Sequence, residues 1–142
     1  IGRMFAALEK VRAWVPIDTY GHIGEGPSVA PEVNDERYAL SRCMTCGCCL
    51  EACPQINDHS KFIGPQAVGQ AVLFNAHPTG AMTAGERLEA LMGPGGITDC
   101  GNSQNCVKVC PKEVPLTVAI GVAGRDTTRH AIWRWLRKWS EE

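Results

Sequence analysis

The sequence has no apolar run approaching the ~18 residues that a membrane-spanning helix needs. Its longest candidate, Val114 to Gly124, is too short and carries glycines. No strand-like alternation of apolar and polar residues rises above background, so a sheet-based fold is not expected. Neither sign of charge is in excess: 14 Lys and Arg against 15 Asp and Glu leave a formal net charge of −1. That balance gives no basis for a nucleic-acid partner or a polybasic membrane surface. There is no secretory leader, and the chain opens at Ile1 rather than Met, already in helical sequence. Such a start suggests a piece cut from a larger polypeptide. At 142 residues the chain makes one ordinary domain, or two small lobes, with a modest core, and is expected to be soluble by itself.

Cysteine is what the sequence has in plenty. Seven of its eight cysteines fall into two runs, Cys43-x2-Cys46-x2-Cys49-x3-Cys53-Pro54 and Cys100-x5-Cys106-x3-Cys110-Pro111. The first spacing is a bacterial-ferredoxin signature, in which the fourth cysteine of each run serves the other run's iron–sulfur cluster. The same template laid over the second run puts cysteines at 100, 103, 106 and 110, but position 103 is Ser103. Crossing the fourth ligands assigns Cys43, Cys46, Cys49 and Cys110 to one cluster, and Cys53, Cys100 and Cys106 to the other. Four thiolates suit [4Fe–4S], and three suit [3Fe–4S]. A serine oxygen is a rare iron ligand, so three irons are the expectation, with Ser103 as the alternative fourth anchor. Cys48 is left over and reads as a small buried hydrophobe.

Two other uses of cysteine compete. Disulfides fit poorly, because Cys48 and Cys49 are adjacent and the ladder is regular. A zinc site in a structural or interaction module closes with four ligands, and has no use for two interleaved sets each ending in Cys-Pro. Cluster chemistry explains the residues between ligands as well. Two intervening residues let one turn of backbone wrap a cube, and Thr45, Gly47, Gly101 and Asn102 are small enough to bring peptide N–H groups near sulfur. Cys49 and Cys53, four apart, are expected on one short helix with thiolates about 6 Å apart along its axis, an arrangement that Cys106 and Cys110 repeat.

Helical patterns surround the cysteines. One helix is expected from Met4 to about Val15, stopped by Pro16. A Gly- and Pro-rich loop from Tyr20 to Pro31 precedes a short helix near Asp35 to Ser41. About two turns are expected between Gly47 and Cys53. Gly64-Pro65 opens a helix that ends near His77-Pro78. Thr83-x-x-Glu86 reads as a capping box for a helix stopped by Gly93. Pro115 to Trp139 reads as one long helix, with an interruption possible at Gly121 to Gly124. The fold class is therefore all-α over residues 1–142, an α-helical two-cluster ferredoxin rather than the β-rich small ferredoxin fold.

These stretches together resemble a known family. CMTCGCCLEACP (43–54), KFIGPQA (61–67), LFNAHPTGAMTAGERLEAL (73–91), DCGNSQNCVKVCPKEVPL (99–116) and Arg125-Asp126 are similar to the C-terminal, α-helical ferredoxin half of the iron–sulfur subunit of succinate dehydrogenase and fumarate reductase, respiratory complex II. The resemblance is to the branch whose membrane anchor is a di-haem subunit, often working with menaquinone. It implies a chain that is not catalytic alone but conducts electrons within an oxidoreductase. They come from a flavoprotein subunit with FAD, by way of a [2Fe–2S] centre, then pass the four-iron and three-iron clusters to haem or quinone at the anchor. It also implies a peripheral place on the cytoplasmic face of a bacterial inner membrane. The plant-type Cys-x4-Cys-x2-Cys run that would hold [2Fe–2S] is absent from this chain. Ubiquinone-using relatives carry a Trp shortly after Cys-Pro and a His after the first cysteine of the second run. Here Gln55 to Ser60 has no Trp and the other position is Gly101, which points to anchor haem as the acceptor. The same helical module also serves heterodisulfide-reductase-like and glycolate-oxidase-like enzymes, but those usually keep two complete four-cysteine sets.

Other residues have plainer readings. Ile132, Trp135, Leu136 and Trp139 make a helical stripe with Arg134, Arg137 and Lys138 beside it. Docking at the anchor or at lipid headgroups competes with packing of a terminal helix on its own domain, and packing is the expectation. His22, His59, His77 and His130 share no ligand spacing and read as structural or exposed. Lys61 reads as a surface lysine, with neutralisation of cluster charge as the alternative.

Overall fold

Proline and glycine set several of the helix boundaries. The structure, a computed structural model, describes residues 1–15 and 28–140. Its helices are α1 (Gly2–Lys10), α2 (Pro31–Ser41), α3 (Cys48–Glu51), α4 (Pro65–Ala76), α5 (Ala84–Met92), α6 (Asn105–Lys108) and α7 (Leu116–Ser140). Two 3-10 turns, Gly80–Thr83 and Ile97–Asp99, complete the regular structure, and no strand occurs among the described residues. The all-α expectation holds. Pro31 and Pro65 stand first in α2 and α4, where proline's missing N–H costs nothing and its fixed φ suits the helix. Gly64 has φ +94°, and a Cβ there would lie 2.2 Å from Leu50 Cδ2. Only glycine lets α4 start this close to α3.

Several boundaries differ from the sequence reading. α1 ends at Lys10, short of Val15. Arg12 turns left-handed at φ 46°, and the N–H groups of Arg12 and Ala13 reach back to the carbonyls of Glu9 and Leu8, each at 2.9 Å. This is a Schellman end with arginine in glycine's usual place. The proposed stop, Pro16, lies outside the described residues, as do His22 and residues 20–27 of the expected loop. α2 starts at Pro31 rather than Asp35, and α3 is a single turn rather than two. The capping box does not form. Thr83 Oγ1 donates to the Gly80 carbonyl at 3.2 Å, and Glu86 pairs with Arg12. The 3-10 turn ahead of α5 supplies the lead-in that a cap would otherwise provide. α7 runs through Gly121 and Gly124 without interruption.

α4 and α7 form the central pair, with α5 also against α7, and α1 and α2 against α4. Small residues on the central helices, Ala67 and Ala71 on α4 and Ala119 and Ala123 on α7, are buried and permit close approach. Gly69 is the tightest point: a Cβ there would meet Leu116 Cδ2 at 3.0 Å. Buried residues form two clusters, one around Val11, Phe62, Val68 and Leu91, the other around Leu40, Cys106, Val114 and Leu116.

The terminal stripe corrects the packing expectation. Ile132, Trp135, Leu136 and Trp139 are 53, 58, 52 and 67% exposed. α7 outruns the layer beneath it. Its last hydrogen-bonded ties to the described body are His130 and Arg134, both on Glu89 of α5, and beyond them Met92 at the end of α5 lies nearest, beside Trp135.

Arg87 on α5 joins the parts, and the sequence reading passed over it. The side chain is fully buried, beneath the Schellman end of α1. Its Nε donates to the Arg12 carbonyl at 3.0 Å and its Nη2 to the Trp14 carbonyl at 2.7 Å. Its Nη1 donates to the Gly80 carbonyl at 2.7 Å and to Asn75 Oδ1 at 3.2 Å. The guanidinium also lies 5.8 Å from the Phe74 ring centroid. Removing it strands three backbone carbonyls in the interior. Arg87→Ala is expected to lower unfolding free energy by about 3–5 kcal/mol in urea denaturation, and Arg87→Lys, with a single donor point, to recover only part.

Candidate metal centre

The two cysteine runs share one backbone course. After Cys43 the chain turns left-handed at Thr45 (φ 57°) and again at Gly47 (φ 82°), then enters the one-turn helix α3 at Cys48. After Cys100 it turns left-handed at Asn102 (φ 51°) and Gln104 (φ 60°), then enters the one-turn helix α6 at Asn105. The exits match too. Cys53 N–H bonds the Leu50 carbonyl and Ile56 N–H bonds the Cys53 carbonyl; Cys110 to Val107 and Glu113 to Cys110 repeat both. Ser103 therefore occupies the place that Cys46 holds in the first run, and both residues are exposed. The side chain of Asn105 donates to the Ala52 carbonyl at 3.1 Å, clasping α6 to the end of α3.

This juxtaposition produces two thiol-lined spaces. Cys43, Cys46, Cys49 and Cys110 line one of about 380 Å³, together with Cys48, Gln66 and Leu116. Cys53, Cys100 and Cys106 line another of about 320 Å³, together with Ser103, Pro65, Phe62 and Ile120. Cys110 of the second run thus lines the first run's space, and Cys53 of the first run lines the second's. The two spaces share a wall: consecutive residues Pro65 and Gln66 at the start of α4 face different ones, as do Leu116 and Thr117 at the start of α7. Among the described residues no three His, Cys, Asp or Glu side chains could hold a single metal ion. A zinc site needs its donors about 2.3 Å from one ion. Here the thiols surround volumes, and soft thiolates around a volume suit an iron–sulfur cluster.

Electrostatics tie the sets together. Burial pushes the Cys49 thiol up to about 12, with the neighbouring Cys43, Cys106, Cys46 and Cys110 adding repulsion. Burial also pushes Cys106 up, opposed by the Val107 N–H, while Cys53 and Cys100 raise it further. Cys46 lies lower than an ordinary thiol, because the Cys48 backbone N–H and then its thiol hydrogen-bond to it; the same pairing raises Cys48. Val114 N–H donates to Cys110 Sγ at 3.4 Å. The inner thiols are thus neutral without a metal, and loading must displace their protons.

Two expectations about these residues are corrected. Cys48 is exposed at the rim of the first space rather than buried, at the first residue of the one-turn helix α3. Cys53 and Cys110 do not lie on helices: α3 ends at Glu51 and α6 at Lys108, and the chain leaves each in a tight turn. Pro54 and Pro111 follow at once, and a residue before proline is steered out of the helical region. The described histidines are structural or exposed, as expected. His59 is exposed, His77 Nδ1 accepts from Thr79 and Gly80 N–H, and His130 pairs with Glu89. Lys61 is exposed. Gln66 and Asn105 went unremarked in the sequence; the only signal for Gln66 was its place directly after Gly64-Pro65. In cluster-free protein at mildly alkaline pH, iodoacetamide is expected to modify Cys46 first and Cys49 last within the first run, as read by peptide mass spectrometry. The raised Cys49 pKa means its thiolate is scarce at every pH below about 12.

Comparison with known proteins adds to this geometry. The family described as "4Fe-4S dicluster domain" matches residues 39–114, which hold both runs. The succinate dehydrogenase iron-sulfur subunit of Bacillus subtilis (strain 168) is 57% identical over 129 residues, 91% of this chain and 51% of that protein. The fumarate reductase iron-sulfur subunit of Wolinella succinogenes is 29% identical over 118 residues, 82% of this chain and 49% of that protein. That of Haemophilus influenzae is 36% identical over 86 residues, 60% of this chain and 33% of that protein. The chain spans about half the length of the first two relatives. The chain belongs to the 4Fe-4S dicluster domain family, and it is similar to the iron-sulfur subunits of succinate dehydrogenase and fumarate reductase.

Proposed function

We propose that residues 1–142 form one α-helical ferredoxin domain that conducts electrons in a succinate:quinone oxidoreductase. It holds [4Fe–4S] on Cys43, Cys46, Cys49 and Cys110, and [3Fe–4S] on Cys53, Cys100 and Cys106. The observation that carries this reading is the crossed lining of the two spaces: Cys43, Cys46, Cys49 and Cys110, with Cys48 at the rim, surround one, and three thiols surround the other. When bound, the clusters supply one-electron carriers between a flavoprotein subunit with FAD, reached through a [2Fe–2S] domain outside these residues, and a membrane anchor with haem and quinone.

The chain's own residues do the rest. The left-handed turns at Thr45 and Gly47, and at Asn102 and Gln104, bend each loop around its space. Phe62, Ile120, Val114 and Leu116 cover the inner walls with apolar surface and keep water from the sulfurs. The shared wall made by α4 and α7 is a few residues thick, which suits passage of charge from one side to the other. No helix among the described residues is long and apolar enough to cross a membrane. The exposed Trp stripe of α7 is available to a di-haem anchor subunit, with the domain peripheral on the cytoplasmic face.

Iron and acid-labile sulfide analysis of anaerobically purified protein, with EPR, tests the reading. A signal in the oxidised state that vanishes on reduction is expected from three irons at Cys53, Cys100 and Cys106. Zinc without sulfide would overturn the electron-transfer function. Ser103→Cys sets a thiol where the first run has Cys46, and is expected to raise iron content and abolish the oxidised-state signal; its unchanged survival would show that the second run is matched wrongly.

A further inference from the structure

One buried polar group in the first thiol-lined space has no partner. Gln66 is 3% exposed, and its Nε2 makes no hydrogen bond among the described residues. A buried amide N–H left unbonded costs about 1–3 kcal/mol, so such a group in a packed interior points to something that accepts from it. The protein around it does not. Of the other residues lining the space, Thr45 and Lys112 are exposed at the rim, and the inner wall beside Gln66 is cysteine, Val114 and Leu116. The second space lacks a matching amide: on α4 it is faced by Pro65, which has no donor, and on α7 by the half-buried Thr117 hydroxyl, which donates a single O–H.

Gln66 also sits where its position is enforced. It occupies the first turn of α4, fixed by Gly64 at φ +94° and by Pro65. The N-terminus of a helix already favours negative charge, and the side-chain amide adds a directed donor to that field. Hydrogen bonds to the sulfurs of an iron–sulfur cluster stabilise its more negative, reduced form and raise its potential.

Resting on the four-thiol assignment made above, we infer that Gln66 donates its amide N–H to a sulfur of the cluster held by Cys43, Cys46, Cys49 and Cys110, and so sets that cluster's potential apart from its neighbour's. Gln66 is a tuning residue rather than a ligand. It gains no electron and moves no proton; it biases the one-electron reduction by favouring the product.

EPR-monitored redox titration of the intact complex tests this. Gln66→Leu removes the donor at similar volume, and is expected to shift the four-iron midpoint negative while leaving the three-iron midpoint in place. An unmoved four-iron midpoint, or an equal shift of both, would overturn the assignment, since a merely structural role predicts one or the other. Pulsed EPR of unaltered protein carrying 15N in its glutamine side-chain amides needs no variant to fold. Coupling of one such nitrogen to the reduced cluster, lost in Gln66→Glu, supports the contact, and no coupling overturns it. If unaltered protein gives no four-iron signal, the proposed function fails and this inference with it. A four-iron signal with an unmoved midpoint overturns only the role of Gln66.

Discussion

Each cysteine run delivers its last thiol to the other run's space, and the architecture follows from that exchange. Cys53 must reach the side of Cys100 and Cys106, while Cys110 must reach the side of Cys43, Cys46 and Cys49. Two segments distant in sequence are thereby forced to lie side by side. The clasp from Asn105 to the Ala52 carbonyl is the local expression of that demand. The starts of α4 and α7 fill the gap between the loops, so both central helices aim their N-termini at the two spaces. Positive helix ends beside a set of thiolates are a favourable electrostatic arrangement.

Packing serves the same end. The core is divided beside the thiols: Cys53 and Cys100 pack on the cluster around Phe62 and Val68, while Cys43, Cys49 and Cys110 pack on that around Leu40 and Leu116, which also takes in Cys106. Ala67, Gly69 and Ala71 on α4 and Ala119 and Ala123 on α7 let the helices approach closely beside the spaces. Bulkier residues there would bury more apolar area, and would also separate the thiol sets. Stability is instead recovered away from the cysteines, where Arg87 gathers the end of α1, the 3-10 turn and α4 through four hydrogen bonds. The α1 segment is held from its other end by Arg3, which donates to the carbonyls of Asn57, Ser60 and Phe62 just after the first run.

What was legible in the sequence was what depends on spacing. The matched course of the two cysteine runs and the helices opened by Gly64-Pro65 and closed by Gly93 follow local rules that tertiary contacts reinforce. What was not legible depends on partners far along the chain. α1 stops early because Arg12 can take a left-handed turn that Arg87 then caps, a contact spanning most of the domain. Thr83 and Glu86 match a capping box, but a 3-10 turn and Arg12 claim them first. The Trp stripe reads as core by periodicity, yet periodicity cannot say that the layer beneath ends with α5. Gln66 looked like one more polar residue in a helix, because its meaning lies in having no partner, which only the packed structure reveals.

The two loops also show how a duplicated backbone acquires unequal halves. Their turns, helices and exits coincide, so the difference between them must lie in side chains. At the outer edge the pair is Cys46 and Ser103, which sets the number of thiols at four against three. At the inner wall Gln66 faces the first space, and Pro65 and Thr117 face the second, which sets a side-chain amide against a single hydroxyl. On the proposed assignment, a wire of two equal carriers would have no built-in gradient, and differences at these points would create one without altering the path. The backbone would then set the distance between the carriers, and the side chains the difference between them.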